Sequence, residues 1–438
     1  MNDMTVGSPM KVIIKFTIPI LLGNLLQLTY NIADTRIVGS FIGDHALAAV
    51  GATATMFSLV VSFFMGLANG FAIATARFFG ARDIAKVHRT FVAALVMGVG
   101  ITICLTISTQ IFMNPILNFL NVPDEIFVDS RRYISIIIWG LTITVIYDVL
   151  LASARAIGDS LTPLLTLVVS VMLNIGGDIL LIVGFHMGVA GAAIATVASQ
   201  AITLVICGIY LLKKYYFFRF RMYEIKELDS VMMRSMMQSG LSMAFMGTLI
   251  AIGSLILQTA INLLGSSYIV AQSAARRLSE VFMTVFNAMG NAMAPYCSQN
   301  MGAGKWDRIH EGLKAGYKIT CSWCVFVLII VWLFAPNMVY FVTGSHDQTM
   351  IDAASLYLRI DTILYVLVAI IVTTRFAMQG VGDKITPLIS SSIEMFGKII
   401  LTYTLVPVMG YMGVILVEPI TWIFMIIPLL WKVRKWEK

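Results

Sequence analysis

Residues 12–36 read VIIKFTIPILLGNLLQLTYNIADTR, an almost wholly apolar run whose few charges are Lys15 near its start and Asp34 and Arg36 near its end. About 20 mostly apolar residues are enough for a helix to cross a bilayer. The run outlasts the apolar core of a secretion signal, and no small-residue cleavage site follows it. It therefore reads as a retained first span. Further runs of the same kind lie near 47–76, 90–112, 132–154, 163–185, 189–212, 235–263, 268–300, 315–335, 354–378, 386–408 and 413–432. The runs 47–76 and 268–300 exceed one bilayer thickness and must tilt, bend or project.

Composition agrees. Hydrophobic residues make up 59% of the chain and charged residues 12%, half the charged share with which a water-soluble domain covers its surface. The expected fold class is an all-α membrane protein with twelve transmembrane helices.

Basic residues then orient the spans. With the N-terminus in the cytoplasm, the inner segments hold 23 of the 30 Lys and Arg residues, whereas the outer connections 40–46, 184–188, 264–267 and 409–413 hold none. Only Arg131 and Arg132 sit at an outer edge. Both termini are expected in the cytoplasm, and the net charge of +7 reflects topology and anionic lipid rather than nucleic acid. The five cysteines lie in apolar stretches, and Cys321-Ser-Trp-Cys324 lacks the second ligand pair of a zinc site. They read as packing residues, and no metal enzyme is expected.

The chain repeats itself. A shift of 222 residues brings Gly43 onto Gly265, Asn69 onto Asn291, Gly80 onto Gly302, His88 onto His310 and Gly191 onto Gly413. A shift of 224 brings Gly158-Asp159 and Thr162-Pro163 onto Gly382-Asp383 and Thr386-Pro387. Each half holds six spans, so the halves share one orientation as parallel pseudo-repeats, an arrangement used by alternating-access carriers. The expected organisation is an N-lobe over 1–212, a cytoplasmic linker over 213–234 and a C-lobe over 235–438.

Several segments resemble prokaryotic multidrug and toxin extrusion (MATE) transporters. They are Pro19…Asp34…Val38-Gly39…Ile42-Gly43…Ala46-Leu47-Ala48-Ala49-Val50-Gly51, Gly188 to Thr196, Arg155-Ala156-Ile157-Gly158-Asp159 and Gln379-Gly380-Val381-Gly382-Asp383. The resemblance covers nearly the whole chain. It implies a V-shaped, two-lobed antiporter of the bacterial or archaeal plasma membrane, working as a monomer without a cofactor. Such a carrier exports amphipathic, often cationic organic compounds against inward Na⁺ or H⁺.

Ionisable residues inside spans are costly and therefore functional candidates. Asp34 and Asp178 each lie fifteen residues past a proline, Pro19 and Pro163, or about 22 Å along a helix. Thr196 lies about 12 Å in from Gly188, at a similar level, and Asn174 is one turn before Asp178. Their oxygen atoms suit Na⁺, and a carboxylate suits H⁺. In the family, positions matching Asp34, Asn174, Asp178 and Thr196 form the cation-coupling site. The bland alternative is that Asp34 pairs with Arg36.

The repeat places Ile256, Lys398, Thr402 and Glu418 where Asp34, Asn174, Asp178 and Thr196 sit. Lys398, held by Glu394 or Glu418, is expected to take the cation's place in the second half. Some family members carry an acid where Ala369-Ile370-Ile371-Val372 stands here, so that type of second-half coupling site is not expected. Arg276, Arg277 and Glu280 fall within one turn and read as a structural ion pair or a substrate-cavity group. Asp148 is expected to pair with Arg155. Met232, Met233, Met236, Met237, Met243 and Met246 crowd one span, as packing or as an adaptable surface.

A flippase for a lipid-linked precursor is the rival reading; it should line its cavity with more basic residues than these spans contain. No nucleophile–base pair points to an enzyme, and no phosphate-binding loop points to ATP drive.

Overall fold

The computed structural model describes residues 3–219 and 228–436. The described part of the expected linker, 213–219 and 228–234, finishes one helix, makes a short 3₁₀ turn at Tyr216–Phe218 and begins the next helix; the remainder, with Arg221 and Lys226, lies outside the described residues.

Fourteen α-helices are described: α1 Pro9–Ile42, α2 Asp44–Gly80, α3 Ile84–Ile111, α4 Met113–Phe119, α5 Asp124–Ala156, α6 Leu161–Asp178, α7 Gly188–Lys214, α8 Ser230–Asn262, α9 Ser266–Gly302, α10 Trp306–Thr343, α11 Gln348–Ile363, α12 Tyr365–Val381, α13 Thr386–Met409 and α14 Tyr411–Arg434. Twelve long helical segments cover the twelve apolar runs. The short α4 is extra, α6 continues as a π-helical turn over Ile179–Gly184, and one span is broken into α11 and α12 by a 54° bend at Leu364. Among the described residues, ten helices are long and apolar enough to cross a membrane, and the bent pair together makes an eleventh. The remaining segment, α9, is as long as α2 but is diluted by Arg276, Arg277, Glu280, Asn287 and Asn291.

The chain divides into two compact units. One holds Leu22–Ala244 and Met1–Asp3, the other Met4–Leu21 and Phe245–Lys438. The first half of α1 thus belongs to the second unit and the first half of α8 to the first, at boundaries 223 residues apart.

In hydrocarbon, apolar side chains gain little by hiding from lipid, so close backbone packing between helices carries association. In the first unit, a Cβ at Gly70 would lie 2.5 Å from the Gly240 Cα, and one at Gly66 would lie 2.7 Å from the Ala244 Cα. Only small residues permit α2 and α8 to touch there. In the second unit, Ile13 and Phe16 of α1 pack with Met289, Ala292, Met293 and Tyr296 of α9. Met236, Met243 and Met246 are buried, so these members of the methionine group serve packing. The five cysteines are free thiols.

The repeat is visible in the turns. Gly43 and Gly265, opening α2 and α9, have φ of 97° and 106°; Gly158 and Gly382 have φ of 83° and 95°. Side chains with a Cβ rarely adopt that region. After each of the latter glycines an aspartate ties down the start of the next helix. Asp159 accepts from the Thr162 N–H at 3.0 Å and its hydroxyl at 2.7 Å; Asp383 accepts from the Thr386 N–H at 3.1 Å and its hydroxyl at 2.7 Å.

Candidate functional site

Four helices of the first unit converge on one polar cluster: α1 brings Tyr30 and Asp34, α5 brings Tyr133, α6 brings Asn174 and Asp178, and α7 brings Thr196. Asp178 is the last residue of α6 before the π-helical turn. Such turns displace the helical ladder and recur at functional sites.

The Asn174 amide nitrogen donates to Asp178 Oδ2 at 3.1 Å and to the Tyr30 hydroxyl at 2.8 Å. Its oxygen accepts from the Thr196 N–H at 3.3 Å, the orientation that satisfies both ends of the amide. The Asp34 and Asp178 carboxyl groups lie within hydrogen-bonding reach of each other. Asp178 is fully buried, and its Oδ1 has no partner among the described residues. Two carboxylates in contact repel unless a proton or a cation lies between them. All four residues expected from the sequence therefore meet. Among the described residues no ion pair joins Asp34 to Arg36, which is exposed. Tyr30 and Tyr133 had not been singled out. Tyr30 is one turn before Asp34 and legible as such; Tyr133 has no local signal.

The second unit holds a buried charge network. Lys398 Nζ lies 3.3 Å from Glu394 Oε1, 3.0 Å from Glu418 Oε1 and 3.2 Å from Ser254 Oγ. Arg375 Nη1 and Nη2 both lie 3.3 Å from Glu394 Oε2, and Arg375 also donates to Ser390 Oγ. The Tyr357 hydroxyl donates to Glu418 Oε2 at 3.0 Å. Lys398, Arg375 and Glu394 are buried, so each charge relies on its partners rather than on water. Lys398 is held by both glutamates.

Two expectations need correction. No ion pair joins Arg276 or Arg277 to Glu280 among the described residues: Arg277 and Glu280 are exposed, while half-buried Arg276 acts on Glu418 and Tyr357. An exposed pair such as Arg277 and Glu280 gains little over hydration by water, and Arg276 acts instead on the buried Glu418. Arg155 donates to Asn69 Oδ1 at 3.1 Å, and no direct ion pair with Asp148 accompanies this among the described residues. The structure adds a further acid, Asp361, inside the run 354–378. It is buried in the last turn of α11 before the bend, with Oδ1 unpartnered.

Outside the spans, burial alone would raise the pKa of Asp159. Hydrogen bonds from Lys214, Thr162 and Tyr215 outweigh it and hold the carboxyl below its usual range.

The MatE family model matches residues 19–180 and again 242–404, once in each half. A curated relative named "Probable multidrug resistance protein YoeA", from Bacillus subtilis, is 23% identical over 389 residues, 87% of this chain and 83% of the relative. The "Multidrug export protein MepA" of Staphylococcus haemolyticus is 22% identical over 397 residues, 90% of this chain and 84% of that protein. Among solved structures, a MATE family transporter of the MOP superfamily in an outward-facing conformation covers all of this chain and 98% of its own, with a TM-score of 0.91 at 23% identity. A MATE in a bent conformation has a TM-score of 0.90 at 23% identity, again covering all of this chain and 97% of its own. With the family model filling most of both halves, the chain belongs to the MatE family, the multidrug and toxin extrusion transporters, which are multi-pass membrane proteins and secondary transporters rather than enzymes.

Proposed function

We propose that this protein exports amphipathic, often cationic organic compounds by alternating access, driven by inward movement of Na⁺ or H⁺ through Asp34, Asn174, Asp178 and Thr196. Both termini face the cytoplasm of a bacterial or archaeal plasma membrane in this reading, and one copy suffices. The observation that carries it is the contact between Asp34 and Asp178, with one carboxylate oxygen of Asp178 buried and unpartnered. A proton or a bare alkali cation would relieve that repulsion and occupy the free oxygen. Its release would restore the repulsion, and coupling requires that this occupancy be favoured in one conformation over the other. The names of the relatives, multidrug resistance and multidrug export proteins, support the substrate class. Against a lipid-linked diphosphate as cargo, the buried basic residues Arg375 and Lys398 are already neutralised by Glu394 and Glu418.

The test is efflux of a fluorescent cationic dye from loaded cells or everted vesicles under imposed Na⁺ and pH gradients. Wild type should need one of the gradients, and Asp34→Asn and Asp178→Asn should each lose that dependence. Efflux that follows neither gradient in wild type would sink the coupling mechanism.

A further inference from the structure

We propose that Lys398 is a built-in counter-cation: its ammonium fills, in the second unit, the place that the exchangeable ion takes in the first. The inference rests on the coupling reading above for what the first unit's site binds; the placement of Lys398 stands on the repeat itself.

The two sites are equivalent by position. Asn174 lies eleven residues past Pro163 and Lys398 eleven past Pro387; Thr196 lies five past Gly191 and Glu418 five past Gly413. The helices that carry them pack at equivalent points. A Cβ at Gly191 would meet the Leu181 carbonyl group at 3.3 Å, and one at Gly413 would meet the Leu405 carbonyl oxygen at 2.6 Å; Leu181 and Leu405 are 224 residues apart. Each pairing then yields a contact between equivalent residues. The Asn174 oxygen accepts from Thr196 at 3.3 Å in the first unit, and the Lys398 ammonium meets Glu418 at 3.0 Å in the second. Even the unpartnered oxygens correspond: Asp178 Oδ1 in one unit, Thr402 Oγ1 in the other.

Chemistry follows from the exchange of residues. The first unit has two carboxyl groups in contact and, among the described residues, no basic side chain paired to them. The second has an ammonium within 3.3 Å of three oxygen atoms from α8, α13 and α14, the kind of oxygen shell that a mobile cation would need. Room for the lysine stem comes from Gly253, where a Cβ would lie 3.1 Å from Lys398 Cδ. Arg375 neutralises Glu394 from its far side, Arg276 acts on Glu418, and Asp361 faces both Lys398 and Glu418. A tethered ammonium cannot leave, so this unit holds its ion-loaded electrostatics throughout the cycle and exchange is confined to the first unit.

The test uses the purified full-length protein in an Asp178→Asn background, which removes the first unit's response. Thermal unfolding is followed while NaCl or methylammonium chloride is added, with N-methyl-D-glucamine chloride as the ionic-strength control. Lys398→Ala should unfold at a lower temperature than its parent, and Na⁺ or methylammonium should restore the loss saturably; the parent should gain nothing from either. A loss that neither cation restores, or no loss at all, overturns the proposal, since a lysine that merely packs would not be replaced by a free cation. Should Lys398→Ala fail to fold, Lys398→Asn with Thr402→Asp copies the first unit's pair. Radioactive Na⁺ binding should then rise by one site per chain, and no gain overturns the proposal. If cation rescue appears while wild-type efflux ignores both gradients, the coupling reading fails and the counter-cation stands.

Discussion

Lys214 donates to Asp159 Oδ2 at 2.9 Å, joining the last turn of α7 to the loop that starts α6. The same carboxylate takes the Tyr215 hydroxyl at 2.8 Å, and the second unit repeats the tie with Lys432 and Asp383 at 3.6 Å. Both ties close their helix pairs at the same end, beside a left-handed glycine.

Asp159→Asn should cost about 2 kcal/mol, because a buried carboxylate loses charge-assisted hydrogen bonds. Thermal unfolding of the purified protein checks it, and Asp383→Asn should cost less, since its lysine is farther away. The pH dependence has a definite sign. The Asp159 pKa is depressed in the fold, so its stabilisation is present above the unfolded value and fades only as pH falls below about 4. Wild type should therefore outlast Asp159→Asn by a constant margin between about pH 5 and about pH 8, and the margin should shrink in stronger acid.

Arg375→Met leaves Glu394 with Lys398 as its only cation among the described residues and should cost about 3–5 kcal/mol. Arg375→Met with Glu394→Gln should recover part of that, because the carboxylate left with half of its compensation is gone. A double-mutant cycle on unfolding free energies reads the coupling directly. Additivity of the two substitutions would contradict the network.

Gly413→Ala should destabilise more than Gly191→Ala. Its new Cβ meets the Leu405 carbonyl oxygen and the Val406 Cα, backbone atoms that cannot swing aside, whereas at Gly191 the neighbours need give only slightly. Overpacking of this kind costs about 1–3 kcal/mol. The measurement is the difference between the two melting temperatures, and equal values would contradict it.

Tyr30→Phe keeps the ring and removes the hydroxyl that accepts from Asn174 at 2.8 Å. About 1 kcal/mol of hydrogen bonding is lost, so the ion concentration for half-maximal efflux should rise by roughly five- to tenfold. Maximal efflux should change little. The ion titration of dye efflux is the check.

The spans were legible because crossing a bilayer is a local demand: length and apolarity suffice, and each run such as 12–36 carries both. The candidate acids were legible for the complementary reason, since Asp34 and Asp178 are ionisable residues within apolar runs. Asp361 meets the same criterion. What misled was proximity in sequence. Arg276 and Glu280 sit one turn apart yet form no pair among the described residues, and Arg155 reaches Asn69, a residue 86 positions away.

By itself, the sequence determined the twelve runs, their internal repeat and the residues that break the apolar pattern. Period, composition and offset are properties of single segments and survive without partners. Only the tertiary structure decided which of those residues touch: Asp34 with Asp178, Lys398 between Glu394 and Glu418, and the split of α1 and α8 between units. Such contacts depend on how far each helix is rotated and how closely it approaches its neighbour. Those are fixed by glycine-lined crossings such as Gly413 on Leu405 and by breaks such as the π-helical turn after Asp178. A polar group in hydrocarbon must find its partner inside the protein, and the packing of the helices selects which partner that is.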